Sequence, residues 1–136
     1  MEITSISNGI IIDHIRAGSG LKVLDYLNID TERGSVALIM NVTSNKHGKK
    51  DIIKLENYKD VDVDVLGLID HHATVIYIKD EKIVKKIKLT LPGKVTNVLK
   101  CINPRCITSS EIGIAHVFHL VDGTEKYRCE YCDNVY

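Results

Sequence analysis

Four cysteines fall in the last 36 residues, as Cys101-Ile-Asn-Pro-Arg-Cys106 and Cys129-Glu-Tyr-Cys132, and the first hundred residues contain none. The layout is C-x4-C, a 22-residue spacer, then C-x2-C. Each close pair can bring two thiolates to one side of an ion, so two pairs can enclose it tetrahedrally. Zinc takes four cysteine sulfurs at about 2.3 Å in a closed structural site that leaves no open position for catalysis. Paired disulfides and a redox dithiol on Cys129 and Cys132 are the alternatives. The start, Met1-Glu-Ile-Thr-Ser, lacks a basic region followed by an apolar stretch, so a cytoplasmic, thiol-reducing compartment is expected and disulfides are disfavoured. The C-x2-C has a matching second pair and no βαβ context at its own end, which disfavours redox chemistry. The spacing therefore favours one structural zinc per chain, held by Cys101, Cys106, Cys129 and Cys132.

Histidines offer less. His71-His72 are adjacent, and adjacent side chains point apart on a helix or a strand, so a surface helix end is expected rather than a metal site. His116 and His119 flank strand-like residues, but four cysteines already complete a tetrahedron. No pair of residues makes a persuasive nucleophile and base. Lys50, Lys54 and Lys86 come from three separate elements that one sheet could bring together, and converging cations suit a polyphosphate. Lysines on strands are mostly solvated charges, and Asp13-His14 reads equally well as a local pair capping a strand end.

The chain has 136 residues, 44% hydrophobic and 26% charged, as expected of one ordinary domain or two small ones. Lysine plus arginine equals aspartate plus glutamate at 18 each, which removes any bulk electrostatic reason to expect nucleic acid. No apolar run approaches the roughly 18 residues of a membrane span, so no membrane partner is expected.

The chain changes character near Leu91-Pro92-Gly93, which gives a domain over 1–92 and a second over 93–136. Gly9 to Ile15 reads as a strand with Ile10 and Ile12 on one face. Ser19 is a plausible N-cap for a helix carrying Leu21, Leu24, Leu27 and Asn28. Ser35 to Thr43 is an apolar strand, expected to be central in its sheet. A turn-rich basic connection over 45–50 leads to a strand over Asp51–Leu55. Residues 61–70 fit strand or helix, and their place between strands favours helix. Thr74 to Lys79 and Lys82 to Leu89 form a hairpin around Asp80-Glu81. The fold class is α+β. A ferredoxin-like antiparallel sheet with two helices on one face is followed by a small all-β, zinc-ribbon-like domain with strands over 114–121 and 126–128. A unit of about 40 residues usually needs a metal or disulfide to fold.

Three stretches in register carry a resemblance. They are Gly9-Ile-Ile-Ile-Asp13-His14-Ile15; Gly48-Lys-Lys50-Asp51-Ile-Ile-Lys54-Leu-Glu56-Asn57; and Asn97-Val98-Leu-Lys-Cys101-Ile-Asn103-Pro104-Arg-Cys106-Ile107 with Cys129-Glu-Tyr-Cys132. Together they resemble the regulatory chain of aspartate carbamoyltransferase over nearly the whole length. The resemblance implies a non-catalytic subunit of de novo pyrimidine biosynthesis. Its first domain would be a ferredoxin-like nucleotide-binding domain that takes CTP and ATP as opposing allosteric effectors, and its zinc domain would dock on the catalytic chain. Regulatory-chain homodimers bridging catalytic trimers are the implied assembly. By the same resemblance, Asp13 and His14 lie at the strand end beside the nucleotide, His14 and Lys86 near the phosphates, and Lys54 near the ribose. Ser5, Ile6, Ile78 and Ile83 align with the lining on the base side, and Lys50 is carried over to the nucleotide site without a more specific place. The chain departs from the family pattern at Glu81, where a tyrosine is usual, and at Ser7-Asn8, where a basic pair is usual.

A nucleic-acid-binding zinc ribbon on a ferredoxin-like module is the alternative reading. One Phe and no Trp leave it few stacking platforms. A dithiol oxidoreductase ranks third, since it needs a low-pKa thiol free of metal.

Overall fold

Successive residues of a strand face opposite sides of its sheet, so alternating apolar residues commit one face to burial. In the computed structural model, which describes residues 6–44 and 48–136, the first unit has five strands, and this rule is clearest in β3, while the last strand is largely exposed. They are β1 (Gly9–Arg16), β2 (Val36–Ser44), β3 (Gly48–Glu56), β4 (Thr74–Lys79) and β5 (Lys82–Lys88). Helix α1 (Gly20–Leu27) follows β1, and α2 (Val63–Ile69) follows β3. The sheet is antiparallel in the order β2-β3-β1-β4-β5, the expected ferredoxin-like arrangement with one added edge strand. Ile10, Ile12, Ile53, Leu55 and Val75 of one sheet face are fully buried against Val23 of α1 and Leu66 of α2. Burial of each such side chain contributes roughly 1.5–3 kcal/mol.

The chain divides into two compact units between Thr90 and Leu91. The second unit holds β6 (Lys94–Thr96), the single-turn helix α3 (Ile107–Ser110), β7 (Val117–Leu120) and β8 (Tyr127–Cys129), with a sheet in the order β6-β7-β8. Its small core is built on Val95, Phe118 and Tyr127.

Three local expectations are corrected. Strand β2 is an edge, not a central strand: Val36 and Leu38 pack on the core, while Ala37 and Met40 are exposed. A run of apolar residues therefore does not by itself require a neighbour on both sides. In α1 the buried stripe is Gly20, Val23, Leu24 and Leu27, and Leu21 is 62% exposed. Ser19 occupies the N-cap position, but its side chain makes no capping bond.

The missing cap is replaced by Asp51. This fully buried carboxylate accepts the backbone N–H of Gly20 (2.8 Å) and of Gly18 (3.0 Å) at Oδ2, and that of Asn41 (2.8 Å) at Oδ1. A Cβ on Gly20 would come within 2.9 Å of Asp51 Oδ2 and 2.7 Å of Leu38 Cδ1, so this close approach requires glycine. Two β-bulges flank adjacent residues of β3, Ile52 and Asp51. Asp13 and His14 of β1 form one, and Met40 and Asn41 of β2 the other. Both contain a left-handed residue, His14 at φ 58° and Asn41 at φ 62°. Hydrogen bonds to an ionised group contribute about 1.5–3 kcal/mol each, and an orphaned buried donor is costly. Asp51→Ala should accordingly destabilise the first unit by roughly 3 kcal/mol or more in urea denaturation; a loss under about 1 kcal/mol would remove Asp51 from this role.

Candidate functional site

The helices cover one face of the sheet, and strand alternation puts Asp13, Lys50, Lys54, Ile78, Ile83 and Lys86 on the other. One cross-strand row reads Ala37, Lys54, Ile11, Ile76, Lys86 from β2 to β5. It sets two lysines on either side of two half-buried isoleucines. A second row, toward the hairpin end, reads Glu56, Gly9, Ile78, Ile83. Ile6, just before β1, is buried. Ser5 and residues 45–47 lie outside the described residues. Ile11 and Ile76 were missed in the sequence, although strand alternation places Ile11 on the same face as Asp13, and Ile76 on that of Ile78.

Four residues along β1 from Gly9, roughly 13 Å at the usual rise, stands Asp13. Its Oδ1 accepts Lys50 Nζ at 2.9 Å and its own neighbour's N–H, that of His14, at 2.7 Å. His14 Nδ1 lies 3.9 Å from Asp13 Oδ2. Burial alone would raise the Asp13 carboxyl, but the bond from Lys50, the N–H of His14 and nearby positive charge outweigh it and hold the group below the usual carboxylate range. The local pairing of Asp13 and His14 is thus present, but the two form a bulge within β1, which runs on to Arg16, rather than its end. Lys50 and Lys54 share strand β3, so the three lysines come from two elements rather than three.

The β4–β5 turn has both central residues, Asp80 and Glu81, in the left-handed region, as a two-residue hairpin turn requires. Glutamate is a poor residue for that conformation, and the Asn8 side chain and the Ser7 backbone carbonyl hold the turn. Asn8 Oδ1 accepts the N–H of Asp80 (3.1 Å), and the Ser7 carbonyl accepts that of Glu81 (2.9 Å). The residues beside Gly9 therefore brace the turn that borders the isoleucine row.

In the second unit the four cysteine sulfurs all lie within 4.8 Å of one another. Metal–sulfur bonds of about 2.3 Å in a tetrahedron imply sulfur–sulfur edges of about 3.8 Å. Cys101 and Cys132 are 3.6 Å apart, and Cys106 and Cys129 3.8 Å, so the set fits such an ion and is far from disulfide length. Cys101, Cys106 and Cys129 are buried. Hydroxyls stand beside two of the sulfurs: Thr108 Oγ1 is 3.0 Å from Cys106 and Tyr136 Oη 3.3 Å from Cys101. Without metal the thiols differ. Burial pushes Cys129 up to about 11, and the backbone N–H of Asn134 with the Asn103 side chain brings Cys132 down to about 7. His116 Nδ1 accepts the N–H of Cys101 and His119 Nε2 meets Glu130, and the cluster itself consists of the four cysteines. His71 and His72 do not point apart: a turn after α2 brings their rings to 4.2 Å.

A unit this small folds around its metal. Chelation should remove hydrogen-exchange protection from β6, β7 and β8 while β1 to β5 keep theirs. Protection persisting at β7 and β8 in metal-free chain would overturn this.

Comparisons with known proteins match each unit to a family model. Residues 1–90 match the family model for the aspartate carbamoyltransferase regulatory chain, allosteric domain, and residues 93–136 match the metal binding domain of the same chain. The chain is similar to the regulatory chain from Clostridium tetani at 55% identity, over 100% of this chain and 96% of the relative. Regulatory chains from Bifidobacterium longum (53% identity, 98% and 96%) and Clostridium acetobutylicum (53%, 100% and 94%) are also similar. With an open sheet face in its allosteric domain and a four-cysteine cluster in its metal-binding domain, the chain belongs to the aspartate carbamoyltransferase regulatory-chain family, whose members are non-catalytic subunits.

Proposed function

We propose that this chain binds CTP and ATP on the open face of its sheet, carries one structural zinc, and docks on catalytic chains of aspartate carbamoyltransferase to regulate pyrimidine synthesis. The observation that carries the nucleotide reading is the row Lys54, Ile11, Ile76, Lys86. It offers apolar contact between two cations, with the apolar pair Ile78 and Ile83 on one side and the Asp13, His14 and Lys50 group on the other. The base rests near Ile6, Ile78 and Ile83, with Ser5 beside them by the family pattern. Lys54 serves the ribose, while Lys86, His14 and Lys50 serve the phosphates. Lys50 is held by Asp13 without ligand, so a phosphate competes with that carboxylate for its ammonium.

Four thiolates at tetrahedral spacing suit zinc, whose bonds to sulfur need no particular d-electron geometry. Ile102, Ile107 and Tyr131 are exposed, and each is the immediate neighbour of a clustered cysteine. The metal thereby shapes an apolar surface suited to the catalytic chain. No helix among the described residues is long and apolar enough to cross a membrane, and free thiols fit the cytoplasm. Edge strand β2 carries no charged residue, whereas β5 carries Lys82, Lys85, Lys86 and Lys88. Lysine discourages edge pairing, so β2 is the edge suited to a second regulatory chain. An effector acts only through different affinities for two quaternary states, and a coupling of about 1–3 kcal/mol is typical.

Adding zinc-loaded chain to isolated catalytic trimers should raise their sedimentation mass to a larger defined assembly. Trimers that sediment unchanged with a matched partner would defeat the docking reading. Lys54→Gln and Lys86→Gln should each weaken CTP binding by about tenfold in calorimetry, the loss expected for one charge-assisted bond; unchanged affinity in both would place the nucleotide elsewhere.

A further inference from the structure

Beyond the end of the nucleotide face, a cleft of about 200 Å³ is lined by His14, Ile15, Arg16, Lys49, Lys50 and His72. No lining residue is acidic. His14 and Lys50 already belong to the phosphate end of the proposed site, but Arg16, Lys49 and His72 do not. One buried carboxylate ties the backbones of two of them together. Asp70 Oδ2 accepts the N–H of Arg16 at 2.7 Å, and its Oδ1 accepts the N–H of His72 at 3.1 Å, although 54 residues separate Asp70 from Arg16. The end of β1 and the turn after α2 are thus fixed to each other beneath the cleft. Arg16 is the register partner of Lys50, the lysine bound to Asp13.

Direction along the sheet decides what this cleft meets. A base at the level of Gly9 and Ile78 leaves roughly 13 Å of strand before Asp13, and the cleft opens just beyond. Only the distal end of a polyphosphate reaches that far, and a monophosphate stops short near Lys54 and Lys86. We propose that Arg16 and His72, set by Asp70, bind the terminal phosphate and make the site selective for triphosphates over monophosphates. This rests on the nucleotide reading of the open face. Arginine supplies the forked donor geometry that lysine lacks.

The test uses the full zinc-loaded chain and calorimetry with CTP, CMP and inorganic tripolyphosphate, comparing wild type with Arg16→Gln and His72→Gln. Arg16 and His72 are exposed, so both variants keep the fold. Each should weaken CTP and tripolyphosphate by about tenfold while leaving CMP within about twofold, a loss that matches one charge-assisted bond. Equal weakening of CTP and CMP, or unchanged tripolyphosphate binding, would overturn the assignment and leave the nucleotide reading intact. Tripolyphosphate bound through Arg16 and His72 with no binding of either nucleotide would uphold the cleft as a polyphosphate site and defeat the nucleotide reading. A wild-type chain that binds none of the three defeats both.

Discussion

The Asp51 carboxylate accepts backbone N–H groups from Gly18, Gly20 and Asn41, and the geometry of the sheet's working end follows from those bonds. A bulge leaves backbone donors out of the strand ladder, and buried donors must find partners elsewhere. Asp51 lies opposite the β2 bulge, and its two oxygens serve that bulge through Asn41 and the start of α1 through Gly18 and Gly20. It starts α1 where Ser19 does not, and it holds the edge strand's left-handed turn at Asn41. Lys50 precedes it on the opposite face and meets Asp13. One residue is thus tied to the scaffold while its neighbour stands on the sheet face that the helices leave uncovered.

Much of this arrangement is legible in the sequence, and the limits are physical. Period-two alternation identifies the strands, and the placement of 61–70 between two strands identifies α2. The order βαββαβ then fixes the antiparallel sheet. What alternation does not encode is which apolar strand is an edge, because one buried face suffices to demand apolar residues; β2 shows this. The Asp51 cap is likewise hidden, since its partners lie 31 and 33 positions away and are backbone groups that any residue supplies. Lys50 and Lys54 could be assigned to one strand only once β3 was known to begin at Gly48. The isoleucines between Lys54 and Lys86 read as ordinary core residues until the register is known.

The metal-binding domain reverses this balance. Its ligands are its most legible feature, because a thiolate tetrahedron demands close pairs and the spacing shows them. Its secondary structure is less so: β6 has three residues and α3 four, too few for any periodicity to register. The chain here is organised by the ion, and the sheet and the single helical turn fill the space that the ligands leave. Asn103 illustrates the difference. It reads as part of a knuckle, yet its side chain also accepts the N–H of Arg105 and its carbonyl accepts the N–H of Cys106, fixing the loop between two ligands.

The two edges of the five-stranded sheet differ in a way that bears on the cell as much as on the fold. Along β5, four lysines repel any strand that approaches, so that side of a newly made chain is inert. Along β2 the sequence Val-Ala-Leu-Ile-Met-Asn-Val-Thr-Ser offers no such deterrent. Uncovered, β2 presents an open, uncharged ladder, and such an edge is a template for aggregation wherever chains are concentrated.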